Sequence, residues 1–153
     1  LEARLLQTLQ IRPGDRVLEI GTGSGYLTAC LSWLSGDVTS IEIYEDFTLA
    51  AAERLRERGI DHVTLLTGDA MAGPVAGGPF DVIAVTGALP AATDHFERQL
   101  KEGGRLLQVT GKGAAAEAQL VTRIRDDVYR RETLFETALT PLVNAAQPNA
   151  FVF

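Results

Sequence analysis

The chain has 153 residues, 46% of them hydrophobic and 22% charged, and we expect a single globular domain over residues 1–153. Its formal net charge of −6 argues against a nucleic-acid partner, because phosphate contacts need clustered Lys and Arg. No apolar stretch is long enough to span a bilayer, no signal-peptide pattern opens the chain, and Cys30 is the only cysteine. We therefore expect a cytoplasmic protein with no membrane partner and no disulfide.

Strands and helices alternate through the first two thirds of the chain. In chain order the predicted elements are a helix over residues 1–10, a strand over 16–20, a helix over 24–35, a strand over 37–43, a helix over 45–58, strands over 62–66 and 80–85, a helix over 92–101 and a strand over 104–110. Segments such as VLEI, VIAV and LLQV are mostly apolar, which is typical of parallel strands covered on both faces. The order predicts an α/β fold with a doubly wound, mostly parallel sheet.

Both ends of the chain depart from this alternation. AQLVTRIRDDVYRRETLF alternates apolar and polar residues on either side of a turn at 126–127, which predicts an antiparallel hairpin on a sheet edge. The last segment, TPLVNAAQPNAFVF, carries no charge, and we expect it to pack against the domain. Because the chain opens on Leu1, apparently partway into a helix, we also expect an N-terminal segment upstream of it.

A glycine-rich loop follows the first predicted strand in VLEIGTGSGY, residues 17–26. Its residues are Gly21, Thr22, Gly23, Ser24 and Gly25. Glycines allow a sharp turn and let the bare backbone approach a ligand, while the next helix points unpaired N–H groups toward it. Ligands of open parallel sheets bind beyond the carboxyl ends of the strands, so we expect a ligand site at this loop.

The glycine spacing favours one of two nucleotide cofactors. A nicotinamide dinucleotide is associated with G-x-G-x-x-G, which would require glycine at Tyr26. Here the third glycine comes one residue earlier, at Gly25, and G-x-G-x-G after an acid-bearing strand is the pattern associated with S-adenosylmethionine. An NAD-dependent oxidoreductase therefore stays the alternative from another enzyme class.

Two acids further along the chain strengthen this interpretation, and Glu19 before the loop is considered with them. Glu42, near the end of the second strand, is placed to accept hydrogen bonds from ribose hydroxyls, which either cofactor would need. Asp69, in TGDA after the third strand, is placed to accept from the adenine amino group, which is typical of methyltransferases. Glu19 precedes the loop and either orients its backbone or reaches the amino group of the ligand through water. Together the acids predict S-adenosylmethionine as the cofactor.

Five segments resemble the protein-L-isoaspartate O-methyltransferases in order and spacing: VLEIGTGSGYLTACLS, VTSIEI, VTLLTGDA, PFDVIAVTGALP and LKEGGRLLQVTG. The resemblance runs from about residue 5 to residue 143 and includes a final PL after the hairpin. It implies methyl transfer from S-adenosylmethionine to the α-carboxylate of L-isoaspartyl residues in damaged proteins, with S-adenosylhomocysteine as product. The ester would then close to a succinimide, and repeated cycles would restore aspartate.

The resemblance also implies roles for site residues. It gives Gly21, Thr22, Gly23, Ser24 and Gly25 at the methionine part, Glu42 and Ile43 at the ribose, Asp69 and Ala70 at the adenine, and Thr86 and Gly87 along the pocket. The loop sequence itself adds Glu19 and Tyr26 to the predicted cofactor-binding residues. A carboxylate acceptor is already nucleophilic, so alignment suffices and no general base is required. We therefore assign no catalytic residue, and we predict no metal site.

Some positions depart from the family pattern. The family carries a Thr/Ser-Ile-Ser segment that contacts the acceptor carboxylate, and residues 1–16 contain nothing like it. Gly87 stands where the family usually has alanine, and Val143 where a hydroxyl residue is common. The alternative function is therefore a relative that binds S-adenosylmethionine but has a different methyl acceptor, or none.

The remaining reactive or bulky residues have ordinary structural interpretations. His95 is interpreted as an exposed residue near the start of a helix, with a general base as the alternative. His62 is interpreted as a surface residue, and Cys30 and Trp33 as packing groups. Tyr26 either stacks near the cofactor or packs under the loop.

Overall fold

The computed structural model describes residues 1–149 and contains one sheet of seven strands. The elements are α1 (Glu2–Leu9), β1 (Arg16–Ile20), α2 (Tyr26–Ser35), β2 (Asp37–Glu42), α3 (Glu45–Glu57), β3 (Val63–Thr67), β4 (Phe80–Leu89), β5 (Leu100–Thr110), β6 (Glu117–Arg125) and β7 (Val128–Glu136), with 3₁₀ turns at Glu97–Gln99 and Gly113–Ala115. Among these residues no helix is long and apolar enough to cross a membrane.

The strand order is β3-β2-β1-β4-β5-β6-β7. The first five strands run parallel, whereas β6 is antiparallel to β5 and β7 is antiparallel to β6. This confirms the predicted doubly wound, mostly parallel sheet with a C-terminal antiparallel hairpin. The order reverses between β1 and β4, and this is where sheets of this kind bind ligands.

Both faces of the sheet are covered, which explains its apolar strands. One face packs with α1 and α2 around Leu5, Leu9, Val17, Leu27, Leu31, Val38, Val82, Ala84 and Leu107. The other face packs around Leu18, Ile20, Ile41, Phe80, Ile83, Val85, Phe96, Leu100 and Leu106. Neighbours such as Val17 and Leu18 enter opposite clusters because successive strand side chains point to opposite faces. Each fully buried leucine contributes roughly 1.5–3 kcal/mol of stability.

The helix boundaries follow from local chemistry. Gly36, with φ 80°, ends α2, and its N–H donates to the Ser32 carbonyl at 3.0 Å. A residue with a side chain would be strained at this φ, so the glycine marks the end of the helix. α3 begins with Glu45 and Asp46 and carries arginines in its last turn, which complements the helix dipole at both ends.

The helix predicted for residues 92–101 is wrong, because this range contains the 3₁₀ turn at Glu97–Gln99 and the start of β5 but no α-helix. β4 and β5 both extend further into this region than predicted and leave a short connection. The Gln99 carboxamide accepts from the Val75 N–H at 2.9 Å and donates to the His95 carbonyl at 3.2 Å. Strand extension and these bonds replace the helix, so tertiary structure overrides the local pattern.

The C-terminal segment packs against the sheet as predicted, as far as the described residues extend. Pro141 forms a parallel bridge with Ala88, whose carbonyl accepts from the Leu142 N–H at 2.9 Å. Leu142 packs on the core and Ala145 is buried. The end of this segment, residues 150–153, lies outside the described residues.

Candidate functional site

The glycine loop at the carboxyl end of β1 is held in a conformation that requires glycine. Gly21 has φ 95° and Gly25 has φ 82°. A Cβ on Gly21 would collide with the Thr86 hydroxyl, and a Cβ on Gly25 would lie 3.1 Å from the Cβ of Ala51. The first glycine therefore lets β4 approach the loop, and the second lets α3 pack beside the start of α2.

Hydrogen bonds fix the loop to both neighbouring strands. The Gly21 N–H donates to the Ile41 carbonyl on β2 at 2.8 Å. On the other side, the Thr86 hydroxyl of β4 lies 2.7 Å from the Ile20 carbonyl and 3.0 Å from the Gly21 carbonyl. The sheet thus anchors the loop on both sides.

Glu42, at the end of β2, is buried beside this loop. Its Oε2 accepts from the Gly23 N–H at 3.0 Å, and its Oε1 accepts from the Tyr44 N–H at 3.2 Å. A carboxylate offers about four acceptor positions, so each oxygen can still accept another bond. Glu42 can therefore orient the loop and receive a ligand hydroxyl at the same time.

Glu19, at the end of β1, is fully buried and its two oxygens differ. Oε2 accepts from the Ser40 hydroxyl at 2.6 Å and from the Thr28 hydroxyl, whereas Oε1 has no partner. Because Ser40 donates its only proton to Glu19, the Thr22 hydroxyl donates to Ser40, at 2.6 Å. Glu19 therefore reaches the loop through two hydroxyls, and it accepts no bond from the loop backbone.

Burial raises the pKa of Glu19 to about 7. Hydrogen bonds from Ser40 and Thr28 oppose that rise, while the negative charges of Glu42 and Glu2 add to it. Desolvation is the largest cause because it disfavours the charged form of an acid. A buried acid with a pKa near neutrality and an unpartnered oxygen is typical of a functional site.

A cavity of about 240 Å³, which we call the loop cavity, opens between the glycine loop, α1 and the ends of β4 and β5. Its polar lining residues are Glu2, Glu19, Thr22, Ser24 and Thr86. Apolar side chains form the opposite wall, among them Leu107, Val109 and Leu139. An apolar cavity with a few convergent polar groups is the common form of a small-molecule site.

A second cavity, of about 50 Å³, lies at the ends of β2 and β3, and we call it the strand-end cavity. Its lining residues include Gly21, Ile41, Glu42, Ile43, Gly68, Asp69, Ala70, Met71, Leu142 and Val143. Asp69 accepts from the Met71 N–H through Oδ1 and from the Asn144 side-chain amide through Oδ2, both at 2.8 Å. Since Gly21 lines both cavities, they flank one loop.

Sequence comparisons place the chain in a family. The sequence model of the protein-L-isoaspartate(D-aspartate) O-methyltransferase family matches residues 1–147. The chain belongs to that family. It is 40% identical over 146 residues to protein-L-isoaspartate O-methyltransferase 2 of Pelobacter propionicus and 39% identical over 143 residues to the enzyme of Roseiflexus castenholzii. These matches cover 94% and 92% of the chain, which spans 64% of the length of each of these curated relatives.

Solved structures share the fold. A protein-L-isoaspartate O-methyltransferase superimposes with a TM-score of 0.84 at 28% identity, over 95% of this chain and 47% of the other. A methyltransferase of Thiobacillus denitrificans, solved in complex with S-adenosyl-L-homocysteine, matches with a TM-score of 0.60 at 30% identity, over 71% of this chain and 46% of the other. The isoaspartate enzyme therefore matches a larger share of this chain.

Most of the predicted cofactor-binding residues line the two cavities, but Gly25, Tyr26 and Gly87 do not. A Cβ on Gly87 would come within 2.5 Å of the Leu142 side chain, so Gly87 faces Leu142 and lines neither cavity. Tyr26 is 61% exposed and lines a separate cavity beside Arg54, so it neither packs under the loop nor faces the predicted ligand.

Other interpretations of single residues also change. His95 is not on a helix: it is half-buried, and its Nε2 lies 2.7 Å from the Ala70 carbonyl, so it braces the turn that holds Asp69. Trp33 is 81% exposed and is therefore not a packing group, whereas Cys30 is half-buried. His62 lies on the surface as predicted.

Sequence reasoning missed several residues of the site. Ser40 and Thr28 hold Glu19, and Asn144 holds Asp69. Ser40 could have been found, because the parallel register of β1 and β2 sets it opposite Glu19. The Asn144 contact joins residues far apart in sequence, and no local signal points to it.

Proposed function

We propose that this protein binds S-adenosylmethionine and transfers its methyl group to the α-carboxylate of L-isoaspartyl residues in damaged proteins. The observation that carries the proposal is the placement of Glu19, Glu42 and Asp69. They lie at the carboxyl ends of β1 and β2 and just after β3, three adjacent strands around one glycine loop, in a member of the isoaspartate methyltransferase family. Acids at three neighbouring strand ends match the amino, ribose and adenine groups of one extended ligand.

The loop cavity fits the methionine part of the cofactor. The Oε1 atom of Glu19 is buried without a partner, and an unpaired buried acceptor costs free energy until a donor reaches it. An ammonium group supplies both the donor and the opposite charge. Ser24, at the mouth of the same cavity, offers a hydroxyl to the carboxylate of the methionine part.

The strand-end cavity supports binding of the adenosine part. Glu42 keeps acceptor capacity for ribose hydroxyls, with Ile43 beside it, and Asp69 with Ala70 faces the place of the adenine. Its volume of about 50 Å³ is smaller than the roughly 150 Å³ that accommodates a benzene ring. Leu142 and Val143 close it, so we infer that they move aside when adenosine enters.

The methyl-transfer step requires no general acid or base from the protein. S-adenosylmethionine supplies an electrophilic methyl group on a sulfonium, and the acceptor carboxylate is already a nucleophile at neutral pH. The residues of the loop cavity then hold the reacting groups in line and exclude water, which can account for most of the rate enhancement.

The partners and location follow from this activity. We propose isoaspartyl-containing peptides and proteins as substrates, because their free carboxylate is the acceptor that the family name implies. We also propose that the protein acts in the cytoplasm, where its single unpaired cysteine, Cys30, would stay reduced.

The test is transfer of labelled methyl from S-adenosylmethionine to an isoaspartyl peptide and to its aspartyl twin. We expect base-labile label on the isoaspartyl peptide alone, because a methyl ester hydrolyses in base. Binding of S-adenosylhomocysteine is measured in parallel by calorimetry. Cofactor binding without label on either peptide would overturn the acceptor and favour a relative with another substrate. Binding of NAD instead would overturn the cofactor as well.

A further inference from the structure

The two oxygens of Glu19 have opposite surroundings. Oε2 accepts two hydroxyl bonds, from Ser40 on β2 and from Thr28 on the buried side of α2, while Oε1 accepts none. The β1–β2 register sets Ser40 directly opposite Glu19, and Thr22 donates to Ser40 in turn. The Thr22–Ser40 pair and the separate Thr28 hydroxyl therefore all end on one oxygen of Glu19.

We propose that Thr28 and Ser40 are positioning residues for cofactor binding, because they occupy Oε2 and thereby leave Oε1 for the ammonium group of the methionine part. The inference rests on the proposed function, since that function supplies the ammonium group. It goes further by assigning a role to two hydroxyls that do not themselves touch the cofactor.

The charges around Glu19 support this assignment. Glu42 on β2 and Glu2 on α1 face it, and both are negative, whereas no described residue forms a salt bridge with Glu19. A buried carboxylate without a cation needs other stabilisation to stay ionised. The two hydroxyl bonds supply it, and they lower the pKa that burial has raised.

This arrangement predicts how binding depends on pH. The ionised form of Glu19 attracts the ammonium group, so cofactor affinity should fall as the pH drops through the pKa of Glu19, about 7. Without the Thr28 hydroxyl that pKa rises further, and the fall in affinity should begin at a higher pH. A residue that only filled space would leave the position of the fall unchanged.

The experiment measures the affinity for S-adenosylhomocysteine by calorimetry from about pH 6 to about pH 8.5. The variants are Thr28→Val, which keeps the shape and removes the hydroxyl, Thr28→Ser, which restores it, and Ser40→Ala. Thr64→Val, at an exposed residue of β3, is the matched control. The amino group of the ligand titrates identically in every sample, so differences between the profiles belong to the protein.

We expect the midpoint of the profile to move up by about one pH unit in Thr28→Val and in Ser40→Ala, which is about tenfold in affinity below the midpoint. Thr28→Ser and Thr64→Val should match the wild type. If Thr28→Val does not fold, as judged by circular dichroism, Ser40→Ala and Thr28→Ser still decide the question.

The possible results distinguish the proposed function from the positioning role of Thr28 and Ser40. No binding by the wild type at any pH would overturn the proposed function together with this inference. Wild-type binding that does not change with pH would overturn the inference alone. The same holds if both variants lose affinity equally at every pH, since the hydroxyls would then act only through shape.

Discussion

The two cavities beside the glycine loop differ in how far the chain has already filled them. The loop cavity, about 240 Å³, contains a buried acid whose Oε1 has no partner. The strand-end cavity, about 50 Å³, contains an acid whose two oxygens already accept bonds, one of them from Asn144. The loop cavity has a free acceptor for a ligand donor, whereas the strand-end cavity is partly filled by the C-terminal segment of the protein. We therefore expect ligand affinity to depend most on the loop cavity.

Of the variants considered, Glu19→Gln should change ligand affinity the most. A small change would contradict the inference that affinity depends mainly on the loop cavity. Removing the charge while keeping the shape should weaken S-adenosylhomocysteine binding at least about thirtyfold, as expected for losing one partner of a buried charge pair. Glu57→Gln, on the exposed last turn of α3, is the matched control and should leave affinity unchanged. Equal affinities for the wild type and Glu19→Gln would contradict the assignment of the ammonium group to Glu19.

The same substitution should stabilise the folded protein, because burial disfavours the ionised form of Glu19. Its pKa in the folded state, about 7, lies above the reference value of 4.5. The contribution of Glu19 to the free energy of unfolding is thus fully present below about pH 4.5, and it is lost as the pH rises through about 7. At about pH 8, Glu19→Gln should raise the free energy of unfolding by about 3 kcal/mol, and near pH 4 the difference should vanish. Denaturant unfolding at both pH values checks this.

Gly21→Ala tests whether the loop is shaped by the sheet alone. The variant combines a strained φ of 95° with a collision against Thr86, whereas Gly14→Ala has a similar φ of 86° and open space around its Cβ. Gly21→Ala should therefore destabilise the fold by about 2 kcal/mol more than Gly14→Ala, as overpacking does. Urea unfolding measures the difference, and equal losses would mean that Thr86 is not close to the loop in solution.

Gly87→Ala sharpens the description of the strand-end cavity. The new methyl group would push on Leu142, one of the two side chains that close this cavity. We expect a loss of about 1–2 kcal/mol, because the new Cβ would also lie 2.8 Å from the Leu142 Cγ and 3.3 Å from its backbone nitrogen, and we expect recovery in the double variant with Leu142→Ala. Thermal unfolding of the single and double variants measures the coupling. Additive losses would show that the two residues do not touch.

The sequence was informative where one element determines its own structure. The apolar strands, the glycine spacing and the acids at strand ends are local signals, and from them the doubly wound, mostly parallel sheet and the C-terminal hairpin were predicted correctly. The helix predicted for 92–101 failed because Gln99 bonds to Val75 and β4 extends, and both depend on distant residues. The fold was therefore more predictable than its connections.

The site shows the same division. Glu42 and Asp69 could be predicted because the end of a parallel strand defines where its side chains meet. Ser40 required the register of two strands, and Asn144 required the path of the C-terminal segment. Gly87 was expected along the pocket because its contact with Leu142 depends on the path of the C-terminal segment, which no local sequence signal gives.

Asn144→Ala should give the smallest change in ligand affinity. It tests whether the C-terminal segment restricts the strand-end cavity. The Asn144 amide donates at 2.8 Å to Oδ2 of Asp69, an atom that we assign to the adenine amino group. Removing this donor frees an acceptor and loosens the segment that closes the strand-end cavity, so S-adenosylhomocysteine should bind about threefold more tightly. Asn149→Ala, also exposed, is the matched control in the calorimetric titration. Weaker binding would instead mean that Asn144 holds Asp69 in the orientation that accepts the ligand, and the two cavities would then both be formed before the ligand arrives.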